Sequence, residues 1–86
     1  MIIKIDNEYI NLDHVANFYS YQTSKEKDDG TLSFKYYVRF HLPNNINKAF
    51  LFQDADRMQI EMINLETAIF DGARYHVMEL KSDESL

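Results

Sequence analysis

From Thr31 to Leu42 the chain alternates without a break. Leu32, Phe34, Tyr36, Val38, Phe40 and Leu42 take one parity, and Thr31, Ser33, Lys35, Tyr37, Arg39 and His41 take the other. A period of two sends successive side chains to opposite faces of an extended chain, so 31–42 is a strand with one face in a core and the other turned out. The rest of the chain must supply neighbouring strands and something to cover the apolar face.

The candidates for both are bounded by sparse punctuation. Only two glycines and one proline occur, at Gly30 after Asp28-Asp29, Pro43 before Asn44-Asn45, and Gly72 after Asp71. Residues 2–5 (IIKI) and 8–11 (EYIN) read as two short strands across Asp6-Asn7. Leu12–Val15 reads as a turn before a longer strand at 15–23, and Asp29-Gly30 suits a tight hairpin into 31–42. After the Pro43–Asn47 loop, 48–52 is a further strand. Asp54 then caps a helix that runs to about Asp71, with Gly72 just past its end. Met58, Met62, Leu65 and Ile69 recur at helical spacing as the face packed on the sheet, while Ile60, Ile63 and Phe70 widen the apolar surface toward a second subunit. Tyr75–Leu80 is a last strand or a docked extension.

The expected fold is α+β: an antiparallel sheet of four to five strands packed by one C-terminal amphipathic helix, about 17 residues and roughly 25 Å long. Its 86 residues make one domain, 1–80, followed by a flexible acidic tail at 81–86. Twelve aromatics exceed what a one-sided core of this size hides, so a homodimer is expected to cover part of the sheet face or the helix flank.

Several chemistries drop out. No run approaches the roughly 18 apolar residues of a membrane span, and acids interrupt the amino terminus before a signal-peptide core develops. With no cysteine there is no disulfide, thiol catalysis or thiolate metal site, and the cytoplasm is the expected compartment. His14, His41 and His76 lie far apart with no metal-binding spacing, and Asp54 and Asp56 fit a helix cap better than a calcium loop. No serine sits in a nucleophile elbow, and two isolated glycines make no phosphate cradle. The chain reads as a non-enzyme with no cofactor and no metal.

What remains is the outward row Lys35, Tyr37, Arg39 and His41, at about 7 Å intervals, the candidate partner-binding site. Its surroundings depend on hairpin register. A two-residue turn pairs Tyr21 with Val38 and Tyr19 with Phe40, leaving Phe18, Ser20 and Gln22 beside the row. A three-residue loop slips the pairing by one: Phe18 joins Phe40 in the core, and Tyr19 and Tyr21 move out beside Arg39 and Tyr37. The first separates polar from apolar residues slightly better, and both remain open.

Tyrosine and arginine anchor protein interfaces, so protein binding comes first. A single-stranded nucleic-acid platform, with bases stacked on Tyr37 and phosphates on Lys35 and Arg39, is the alternative; the net charge of −5 disfavours it. A minor variant is an acidic mimic that meets a basic partner. The acids, however, are dispersed: Asp28 and Asp29 in a loop, Asp54, Asp56, Glu61 and Glu66 on the helix, Asp83 and Glu84 in the tail.

The stretches YINLDHVANF, FKYYVRFHL and AFLF, followed by a helix, give an order of elements similar to the minimal pleckstrin-homology-like domains of bacteria. About residues 8–70 also resemble the short FlbD-like flagellar proteins, through an I-N-x-D-x-V stretch and the hydrophobic spacing. The Pro43–Asn47 loop and the segment after Gly72 depart from the flagellar form. The resemblance implies a non-enzymatic adaptor or regulatory module and transfers no site residues.

Overall fold

A computed structural model describes residues 1–82. Among them are six strands and one helix in the order β1 (Ile2–Ile5), β2 (Glu8–Asn11), β3 (Asn17–Glu26), β4 (Leu32–Leu42), β5 (Ile46–Phe52), α1 (Ala55–Phe70) and β6 (Tyr75–Met78). The α+β class and the single helix are as expected. The single sheet is not: the strands form two three-stranded sheets, ordered β2-β1-β6 and β3-β4-β5.

The split has a local cause and a distant one. Asp6 and Asn7, both at positive φ, close a tight hairpin between β1 and β2. After β2 the chain enters a single 3-10 turn, Leu12–His14, which Asn11 caps by accepting a hydrogen bond from the Asp13 amide. The Leu12 amide donates to Met1 and the Val15 amide to Leu12, so the ladder ends there and the chain leaves the first sheet. At the other end, β6 returns from the helix and pairs in parallel with β1, Ile3 opposite His76 and Ile5 opposite Met78.

The two sheets share one core. Ile3, Ile5, Ile10 and Met78 from the first meet Val38, Phe40, Phe50 and Phe52 from the second, with Leu65 of α1 between them. Phe40 makes an edge contact with Phe50 and stacks with Phe18. An ion pair between Lys48 and Glu8 ties the sheets across their margin. The Gln53 amide donates to Leu80 at 2.8 Å, and the Ser82 amide to Oε1 of Gln53 at 2.7 Å, so the chain after β6 lies against the end of β5. Of the segment read as an acidic tail, residues 83–86 lie outside the described residues.

Asp54 caps α1 through the Arg57 amide, and Gly72 takes the left-handed position beyond its end, as the sequence predicts. Of the expected packing stripe, Leu65 is fully buried, Met58 and Met62 are half-buried, and Ile69 is exposed. Glu61, counted from sequence among the surface acids, is instead buried, and Arg57 donates to it from one turn earlier at 3.1 Å. Leu32 and Phe34 have the parity of the core face but are 56% and 45% exposed, because the β3–β4 hairpin extends past the helix that would cover them.

Leu65 joins the helix to both sheets, so truncating it leaves a cavity at the junction. Leu65→Ala should cost about 2–5 kcal/mol in urea unfolding; a loss below about 1 kcal/mol would mean that the helix is not the cover of this core.

Candidate partner-binding face

The composition of the site follows from one turn. The Lys27 amide donates to the Thr31 carbonyl at 2.7 Å, closing a three-residue loop of Asp28, Asp29 and Gly30. Gly30 sits at φ +84°, and its amide donates to Lys27 at 3.0 Å, which is a turn followed by a left-handed residue. A side chain at Gly30 would meet nothing, so backbone conformation alone selects glycine. Asp29 adds a clamp: its Oδ1 accepts from the Thr31 hydroxyl at 2.6 Å and from the Thr31 amide at 3.0 Å.

This loop selects the second of the two registers. Phe18 lies opposite Phe40, Tyr19 opposite Arg39, and Tyr21 opposite Tyr37. The register that separated polar from apolar residues slightly better is not the one adopted. A two-residue turn of type I′ over Asp29-Gly30 would need positive φ at both residues, whereas the observed loop needs it only at Gly30.

The four residues expected on the outer face, Lys35, Tyr37, Arg39 and His41, share it, and Tyr19 and Tyr21 join them from β3. The rings form a ladder. His41 stacks on Tyr19 with centroids 5.5 Å apart, Tyr19 and Tyr21 are 5.8 Å apart, and Tyr21 stacks on Tyr37 at 5.2 Å and 15°. Arg39 lies over Tyr21, 4.8 Å from the ring centroid, and donates to the Tyr21 hydroxyl at 2.9 Å and the Tyr19 hydroxyl at 3.5 Å. The bond to Tyr19 and the nearby tyrosine oxygens hold the Arg39 guanidinium above its ordinary pKa, so it stays a fixed cation. The Tyr21 hydroxyl, which accepts from Arg39, keeps its own proton to donate outward, while the Tyr19 hydroxyl also lies 3.4 Å from Nε2 of His41.

Charge is segregated here. Along β3, β4 and β5, every second residue from Asn17 to Lys25, from Ser33 to His41 and from Asn47 to Leu51 faces outward. None of these is Asp or Glu, in a chain of net charge −5. Lys25, Lys35 and Arg39 make the face locally positive. Beside it, Ala49 and Leu51, opposite Arg39 and Tyr37, form one wall of an open groove of about 610 Å³ whose remaining lining is mixed in charge, with Lys4 and Lys81 beside Asp6, Glu8 and Glu79. Sequence reasoning missed this groove because it exists only through the pairing of β6 with β1. Among the described residues no three His, Asp or Glu side chains converge on a metal-binding position.

Comparison with known proteins finds no matching family, no matching curated protein and no matching solved structure.

Two measurements check the geometry. The bonds from Thr31 hold the Asp29 carboxyl below its ordinary value of 3.8. A depressed folded-state pKa stabilises the loop above the unfolded value, and that contribution is lost as pH falls through the folded one. The Thr31 amide should therefore titrate in NMR spectra with a midpoint below 3.8, and Asp29→Asn should abolish the transition; a midpoint at or above the ordinary value would contradict the clamp. In the ladder, Tyr21→Phe removes the nearer and better-placed acceptor for Arg39 but keeps the ring. Guanidinium protons resolved in the native spectrum should then collapse to one averaged signal, and identical spectra would mean that Arg39 is not held.

Proposed function

We propose that the chain is a non-catalytic adaptor or regulatory module that binds an acidic protein surface through the outer face of β3, β4 and β5. The observation that carries this reading is the acid-free, locally positive composition of that face around a tyrosine ladder, in a protein that is acidic overall. Tyrosine and arginine anchor interfaces because each presents a large contact area with a polar tip. Stacking on Tyr21 and hydrogen bonding to two hydroxyls pre-order Arg39, so less side-chain entropy is lost on docking. Positive potential on this face steers an acidic partner toward it and away from the acidic remainder of the surface. The resemblance to small bacterial pleckstrin-homology-like and FlbD-like proteins implies an activity of the same kind. The reading places the protein in the cytoplasm and takes it to work as a homodimer.

The test is affinity capture from cells of the source organism with three chains: native, Lys35→Glu/Arg39→Gln, and Tyr9→Ala on the other sheet. The proposal expects a discrete protein captured by the native and Tyr9→Ala chains and lost with the double substitution. Capture that survives the double substitution would remove the site. Bound material absorbing at 260 nm, and released steeply by salt, would replace the reading with single-stranded nucleic-acid binding.

A further inference from the structure

The helix carries a second apolar stripe that the core does not use. Leu65 marks the buried side of α1, and on the opposite side lie Ile60, Ile63, Thr67 and Phe70, with Ile60 49%, Ile63 54% and Phe70 91% exposed. Their spacing of three, four and three residues is that of the seam by which two helices pair. The seam is self-complementary. Turned about a two-fold axis through its middle, it sets Ile60 against Phe70 of a second copy and Ile63 against Thr67, large against large at both ends.

The exposed apolar area suits such a cover. Ile60, Ile63 and Phe70 together offer about 400 Å² of apolar side chain, half of the roughly 800 Å² that each partner buries in a standard interface. The residues flanking the seam add the polar rim.

Charge selects the orientation. A parallel pair would set Asp56 against Asp56 and Glu66 against Glu66. The antiparallel pair sets Glu66 beside Asn64 and carries the exposed Asp56 past the far end of the second helix, where exposed Arg74 follows Gly72. It also aligns the two helix dipoles favourably.

We infer that α1 is the homodimer interface, an antiparallel two-fold pair across Ile60, Ile63, Thr67 and Phe70 that leaves the tyrosine face of both copies free. This rests on the homodimeric part of the proposed function and names the surface that performs it.

Light scattering on a sizing column over a range of concentrations should give the native chain a mass of two 10.2 kDa chains. Ile63→Lys should reduce this to one chain with its circular dichroism unchanged, and Lys35→Glu/Arg39→Gln should stay dimeric. Because the chain has no cysteine, orientation reads out directly. Ile60→Cys mixed with Phe70→Cys should form a mixed disulfide on oxidation, and neither variant alone should cross-link. A native mass of one chain at every concentration overturns the dimer and this interface together. A native dimer that Ile63→Lys leaves intact overturns the interface alone. Self-linking of Ile60→Cys overturns the antiparallel arrangement.

Discussion

In an antiparallel pair a slip of one residue turns every side chain of a strand to the other face, so a single left-handed residue at the tip of the β3–β4 hairpin governs what the outer surface contains. Gly30 holds that position at φ +84°, and the Asp29 carboxylate locks the loop on Thr31. Ten paired positions follow from it. Phe18 goes in to stack on Phe40, and Tyr19 and Tyr21 come out to meet Arg39, His41 and Tyr37. With the other register, the same residues would make a polar face beside a tyrosine-lined core.

The core that supports this hairpin is small. Nine apolar side chains from two sheets and one helix are buried among the described residues, and the hairpin tip stands beyond them with Leu32 and Phe34 in the open. A core of that size leaves much of the helix and the outer sheet faces uncovered. The two uncovered surfaces differ in character. The sheet face is positive, aromatic and hydrogen-bonded within itself, while the helix back is apolar between acids, so the two uncovered surfaces suit different partners.

Much of this was legible in the sequence where local signals suffice. The alternation of 31–42, the hairpin at Asp6-Asn7, the Asp54 cap and the Gly72 stop each depend on residues close together, and each element appears where it was expected. The division into two sheets was not legible, because β1 finds β6 more than seventy residues later and nothing in either short strand names its partner. Nor was the register: Asp28-Asp29-Gly30 is compatible with two loop lengths, and the choice lies in a φ angle and a carboxylate hydrogen bond. Lys35, Tyr37, Arg39 and His41 were identified from parity alone, but the tyrosines that organise them follow from that register. Glu61 read as one of several helix acids; its burial depends on Arg57 one turn earlier and on the sheet beneath.

The pairing of β3 with β4 is therefore the claim on which the rest stands, and nuclear Overhauser contacts across the hairpin measure it directly. The structure predicts ring contacts between Phe18 and Phe40 and between Tyr21 and Tyr37, with Tyr19 beside Arg39. Cross-strand contacts of Tyr19 with Phe40 and of Tyr21 with Val38 would place the tyrosines in the core, and the candidate face would not exist.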